Sequence, residues 1–257
     1  MTVYERMLKL KREKGLIVQA HRGASAYAPE NTMPSFALAL EMGADVIELD
    51  IHLTADGKLA VNHDGNLNRC GGVDVNIRDK TMEELLKVDM GYAAKFGDKF
   101  KGTRLPELHE VFELVRGTGM IVNVELKDGG GEELIRKAVE TEISCGMDGF
   151  VLYSSFNHEY LNILRSIKPD SYTAPLYGAG IEDPWNYAAS RGDLALHPQF
   201  PTIDNTPDFC ENCHKYGVMV NVWTVDRAED MKRLWARNCD SVITNVPDIA
   251  LKVRNEA

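Results

Sequence analysis

From residue 16 onward, short runs of apolar and β-branched residues alternate with stretches whose apolar positions recur every three or four residues. The first kind predicts strands at 16–20, 45–50, 120–125, 150–153, 172–175, 194–196, 218–223 and 241–244. The second predicts helices at 35–42, 107–116, 132–144, 159–167, 184–190, 207–216 and 228–236. Strands separated by helical crossovers describe a parallel sheet, either closed into a barrel or doubly wound. No G-x-G-x-x-G motif follows the first strand and there is no P-loop, which weighs against a nucleotide-binding sheet. The reading adopted is α/β: a single (β/α)8 TIM barrel spanning residues 1–257. The first fifteen residues are charged throughout, with Tyr4, Met7 and Leu8 on one helical face, and predict a short helix packed on the barrel.

Two segments break the rhythm. Thr54-Ala55-Asp56-Gly57 is a tight-turn signal, and an apolar run at 59–62 follows it directly. A parallel crossover needs a dozen or more residues, so that run must return antiparallel to the second strand. A turn at 55–56 or at 56–57 places Glu48 or Asp50 opposite His63. Residues 65–104 lack barrel periodicity, hold a turn-rich start at Cys70-Gly71-Gly72 and a helical piece at 81–89, and predict a small insertion subdomain at the barrel mouth.

Composition narrows the partners. A formal net charge of -10 argues against a nucleic-acid surface. No apolar run approaches the ~20 residues that span a bilayer, and the N-terminus lacks the apolar core of a signal peptide, so no membrane anchor is expected. Five cysteines, an odd number, fit a reducing compartment and a cytoplasmic location better than a disulfide framework. Cys210-x-x-Cys213-His214 has a haem-attachment spacing, but it falls in a predicted barrel helix of a chain without an export signal, so the pair is expected to be inert.

The second strand carries the chemistry. In Val46-Ile47-Glu48-Leu49-Asp50-Ile51 the side chains alternate, so the apolar residues face the outer helices while Glu48 and Asp50 face inward together. The alternative is a surface strand with solvated acids. The third strand ends Asn123-Val124-Glu125-Leu126-Lys127, which turns Glu125 and Lys127 inward by the same rule. Lys127 can either serve an anionic substrate or simply neutralise Glu125. Three neighbouring carboxylates without cysteine favour a hard cation, Mg2+ or Ca2+. His21 ends the first strand beside Arg22, where barrel active-site residues emerge, and His63 lies level with the acids. Two histidines beside a metal site and two cations suggest general acid–base work on a phosphate ester. Trp223 is expected to face inward, either as an apolar wall for a substrate or as core packing.

His21-Arg22-Gly23, Ala28-Pro29-Glu30-Asn31-Thr32, Gly43-Ala44-Asp45, Thr54-x-Asp56-Gly57, His63-Asp64, Glu125-x-Lys127, Ser155-Phe156, Val222-Trp223-Thr224-Val225 and Ile243-Thr244-Asn245 occur in that order. Together they resemble the glycerophosphodiester phosphodiesterases over nearly the whole chain. The resemblance implies a hydrolase of glycerol and lipid metabolism that takes a small glycerophosphodiester. His21 and His63 would act as acid and base, Glu48, Asp50 and Glu125 would hold one divalent cation, and Arg22 and Lys127 would bind the phosphate. Products would be sn-glycerol 3-phosphate and an alcohol such as choline or ethanolamine. Gly65 and Arg69-Cys70 depart from the family's pattern after His63-Asp64. Two other readings stay open: a lysophospholipase D-type enzyme, and a metal-binding barrel without catalysis. Asn31 or Thr32 serves as a helix N-cap ahead of Pro34.

Overall fold

The computed structural model describes every residue except Ala179 and Ala257. The chain opens with α1 (Val3–Lys14), then runs β1 (Ile17–His21), α2 (Met33–Met42), β2 (Val46–Leu53) and β3 (Leu59–Val61). After three short helices, α3 (Asn68–Gly71), α4 (Met82–Leu85) and α5 (Ala93–Phe96), come α6 (Leu108–Val115), β4 (Ile121–Leu126), α7 (Gly131–Ser144), β5 (Val151–Ser155) and α8 (His158–Ile167). The second half continues with β6 (Tyr172–Tyr177), α9 (Pro184–Arg191), β7 (Ala195–Pro198), α10 (Phe200–Asp204), α11 (Phe209–Lys215), β8 (Met219–Val222), α12 (Ala228–Ala236), β9 (Ser241–Thr244) and α13 (Pro247–Asn255). Eight parallel strands follow the order β1-β2-β4-β5-β6-β7-β8-β9, and β9 pairs back onto β1. The sheet is therefore a closed (β/α)8 barrel, and each expected strand matches an observed one to within a few residues. α10 and α13 were not anticipated from the sequence pattern.

Alternation sorts the side chains into layers. Ile47, Leu49 and Ile51 of β2 and Val122, Val124 and Leu126 of β4 face the helices and are buried there. Inside, the bottom of the barrel is apolar: Ile17, Val46, Ile121, Leu152, Ala195 and Met219 close over Val3 and Met7 of α1. α1 is thus a plug. It buries Val3 and Met7, whereas Leu8 is left exposed because the docked face is rotated towards Val3. The next layer up is polar, and four of its side chains bond one another. Gln19 donates to Ser241, Asn123 donates to Gln19, and Ser154 donates to Asn123, at 2.9, 3.2 and 2.9 Å. That ring is the floor beneath the carboxylates.

The hairpin register differs from both two-residue turns. Thr54 N–H bonds Lys58 O at 3.0 Å, and Gly57, at φ +72°, completes a three-residue loop with a bulge. Ile51 therefore faces Val61, and the Asn62 amide, not His63, reaches the Asp50 carbonyl at 3.0 Å. β3 ends at Val61, after which the chain bends and His63 still comes to line the cavity that holds Glu48.

Between residues 65 and 104, α3 and α4 pack around Leu67, Cys70, Ile77, Met82, Leu85 and Met90, with Tyr92 ahead of α5 against the same cluster. The expected helical piece at 81–89 shortens to α4, capped by Thr81, and the turn-rich start at Cys70 is α3. Asp56 ties the hairpin to this segment by accepting from the Met82 amide at 3.0 Å.

Candidate active site

Strand register brings the acids together. Asp50 on β2 is paired with Glu125 on β4, and Glu48 with Asn123 on β4 and His21 on β1. Carboxylate oxygens of Glu48, Asp50 and Glu125 lie within 4.8 Å of one another, and all three residues are buried. Arg22 and Lys127 flank them. Lys127 Nζ donates to Glu125 Oε1 at 2.7 Å and lies 3.3 Å from Asp50 Oδ1, yet outside hydrogen-bond alignment with it. That oxygen has no hydrogen-bond partner among the described residues. Arg22, held at φ 56° after β1, gives its backbone N–H to Glu48 Oε2 at 2.8 Å and places Nε 3.6 Å from Asp50 Oδ2.

The electrostatics follow from three carboxylates buried together. Burial, then Asp50 and Glu125, push the Glu48 carboxyl well above its ordinary value. Glu125 is pushed up to about 7, again by burial first and Asp50 second. Burial acts on Asp50 in the same sense, but Lys127 and Arg22 outweigh it and hold that carboxyl well below the usual range. Three acids this close cannot all ionise without a compensating charge. Oxygen donors alone, with Asp50 Oδ1 left without a hydrogen bond, could hold a hard divalent cation such as Mg2+ or Ca2+. Among the described residues, this is the group of carboxylates, histidines and cysteines with metal-ligand spacing.

Each histidine is oriented from behind. His21 Nδ1 lies 2.8 Å from Asn245 Oδ1. The Asn245 amide nitrogen donates to Asp226 at 2.7 Å, so the amide oxygen is the atom turned to His21. This fixes the tautomer: Nδ1 carries the proton and Nε2 is left free as a base. His63 Nδ1 pairs with Asp64 at 2.7 Å. Asp64 accepts from Arg69 at 2.6 Å, Arg69 makes two bonds to Glu30, and Glu30 also takes Arg22 at 2.8 Å. One chain of ion pairs thus joins His63 back to Arg22. Burial, ahead of the Arg22 charge, lowers His21 to about 4. His63 is also lowered, by burial first. His21 is therefore neutral near pH 7.

Several of these residues went unread in the sequence. Glu30 had no assigned role, and Asn31 was one of two candidate caps. The structure gives the cap to Thr32, while Asn31 donates to Asp50 Oδ2 at 2.8 Å. Arg69, a departure from the family's pattern, is the residue that braces Asp64. Asn245 and Phe156 sat inside the quoted motifs, which was the only signal they gave.

Two cavities meet here. An inner one of about 80 Å3 is bounded by His21, Glu48, His63, Leu176, His197 and Trp223. An outer one of about 330 Å3 runs past His52, Arg78, Lys127, Asp128 and Asn157. His63, Glu125 and Phe156 line both. Trp223 forms a wall of the inner cavity, its indole N–H bonded to His197 O at 2.7 Å and its ring set edge-on to Phe156 at 5.5 Å.

The Cys210–Cys213 pair lies elsewhere. Both thiols are buried in the apolar layer beneath α11, and His214 Nε2 turns to Asp240 at 2.8 Å. Burial raises the Cys213 thiol. A Cys210→Ser/Cys213→Ser variant is expected to match the wild type in absorbance and in metal content. Stoichiometric haem or zinc in the wild type, lost in the variant, would contradict this.

A model of the glycerophosphoryl diester phosphodiesterase family matches residues 21–249. A glycerophosphodiester phosphodiesterase of Caldanaerobacter subterraneus subsp. tengcongensis is 40% identical over 242 residues, covering 92% of this chain and 97% of the relative. A human lysophospholipase D is 33% identical over 144 residues, covering 54% of this chain and 45% of that protein. Among solved structures, an Oleispira antarctica phosphodiesterase in complex with the product sn-glycerol-3-phosphate superposes with a TM-score of 0.87 at 28% identity, covering 93% of this chain and 96% of that one.

Proposed function

Because the chain belongs to the glycerophosphoryl diester phosphodiesterase family, we propose that it hydrolyses small glycerophosphodiesters to sn-glycerol 3-phosphate and an alcohol by two-histidine, cation-assisted catalysis. The observation that carries this reading is the convergence of His21, His63 and the three buried acids on one cavity. Glu48, Asp50 and Glu125 would hold the divalent cation, which when bound would supply positive charge for the phosphoryl oxygens. Arg22 and Lys127 bind the same phosphate from either side of Asp50.

The glycerol enters the inner cavity, against Trp223, and the leaving alcohol occupies the outer one. His21 lines only the inner cavity and presents a free Nε2, so it removes the proton of the glycerol 2-hydroxyl. That oxygen attacks phosphorus, the bond to the alcohol breaks, and a cyclic phosphate forms that water then opens. An intramolecular nucleophile of this kind brings effective molarities of ~10^5 M or more. His63 stands where the two cavities join and is backed by the Asp64 carboxylate, which suits it to protonate the departing oxygen. Residues 65–104 act as a small subdomain that delivers Arg69 to this arrangement and walls the outer cavity with Arg78.

The relation to lysophospholipase D, over about half the chain, supports a second reading in which the substrate is a lysophospholipid. An enzyme-coupled assay for sn-glycerol 3-phosphate, run on glycerophosphocholine and glycerophosphoethanolamine beside choline release from lysophosphatidylcholine, separates the two. The first reading expects turnover of the two water-soluble diesters. Release of choline from the lysophospholipid alone would replace it with the second.

A further inference from the structure

One wall of the inner cavity carries a group that the reaction as described does not use. His197, on β7, is fully buried. The Asn221 side-chain nitrogen lies 2.9 Å from its Nε2, while its Nδ1 has no hydrogen-bond partner among the described residues. Buried polar atoms are seldom left unpaired, and the few exceptions call for an explanation such as a bound ligand or water. The Asn221 bond holds the ring, while Trp223 bonds the His197 backbone carbonyl and stands against the same space. Leu176 and Ile243 complete the apolar surround.

The ring nitrogen specifies what it can bind. Burial lowers His197 to about 3, so the imidazole stays neutral; the Asn221 amide nitrogen can only donate to Nε2, which leaves the proton, and a donor, on Nδ1. A hydroxyl oxygen accepts that bond. Glycerol held for the proposed reaction presents two hydroxyls: one attacks phosphorus under His21, and the free primary hydroxyl remains.

We propose that His197 Nδ1 binds the free primary hydroxyl of the glycerol moiety and so selects deacylated glycerophosphodiesters over 1-acyl lysophospholipids. An ester at that oxygen makes it a weaker acceptor and forces a chain into the cavity enclosed by Leu176, Trp223 and Ile243. The inference rests on the reaction assigned above and adds the residue that reads the substrate.

The test compares kcat/KM for glycerophosphocholine and for its deoxy analogue, propane-1,2-diol phosphocholine, which keeps the attacking hydroxyl but lacks the primary one. Wild type is expected to prefer glycerophosphocholine by roughly 10- to 100-fold, His197→Phe to treat the two within about threefold, and His197→Gln to recover part of the preference. Wild type turning over both analogues alike, or His197→Phe keeping the preference, would overturn the inference. So would lysophosphatidylcholine being turned over by wild type as fast as glycerophosphocholine. If His197→Phe does not fold, the wild-type comparison and His197→Gln decide alone. Absence of sn-glycerol 3-phosphate from every diester would overturn the assigned reaction and this inference with it, a result distinct from equal turnover of the two analogues.

Discussion

Stripped of divalent cations, the protein is expected to lose at least ~10^3-fold in turnover of glycerophosphocholine, and Mg2+ or Ca2+ is expected to restore it. The reason is electrostatic before it is familial. Glu48 and Glu125 are driven towards protonation by burial and by Asp50, and Glu48 by Glu125 as well. Lys127 and Arg22 already serve Asp50, and a phosphodiester makes a second demand on the same two cations. A divalent ion meets both demands at once. Removing one carboxylate charge while keeping its shape should therefore weaken metal affinity and activity together. For Glu48→Gln the expected loss in each is roughly 10- to 100-fold, read by titration calorimetry and by the coupled assay. Metal binding should also raise the thermal midpoint of the wild type more than that of the variant. Full activity in a chelated sample shown by elemental analysis to be metal-free would contradict the proposal.

His21→Ala and His63→Ala are each expected to lower kcat by at least ~10^2-fold, with both variants retaining the wild-type circular dichroism spectrum. Neither ring is part of the apolar core, so truncation should leave the barrel intact. The two losses should differ in substrate dependence. With a good leaving group such as p-nitrophenol in place of choline, protonation of the departing oxygen matters little. His63→Ala should then recover much of its activity, while His21→Ala should not. Near-normal turnover of glycerophosphocholine by either folded variant would remove that histidine from the reaction.

The barrel was legible because its signal is repeated. Eight strands carry the same alternation against the outer helices, and an error of two residues at one end changes nothing in the whole. The inward direction of Glu48, Asp50 and Glu125 was legible for the same reason, since Ile47, Leu49 and Val124 leave the acids one face only. What alternation does not encode is loop geometry. The hairpin register fell between the two expected pairings because Gly57 adds a residue to the turn, and that depends on one backbone angle. Partners supplied by distant segments were hidden altogether. Nothing in the local pattern says that Arg69 reaches Glu30, thirty-nine residues away, or that Asn245 meets His21 across the barrel seam. Asn31 stayed an alternative to Thr32 for a related reason: capping chemistry is local and visible, whereas the bond of Asn31 to Asp50 is made in three dimensions. His197 was silent because a single histidine in a short apolar strand reads as core.

The central claim is that this site cleaves the phosphorus–oxygen bond to the alcohol by way of the glycerol 2-hydroxyl. Phosphorus NMR of glycerophosphocholine incubated with the metal-loaded protein tests it most directly. The account predicts sn-glycerol 3-phosphate as the phosphorus-containing product, preceded at early times by the glycerol 1,2-cyclic phosphate. Accumulation of phosphocholine instead, with free glycerol as its companion, would contradict it.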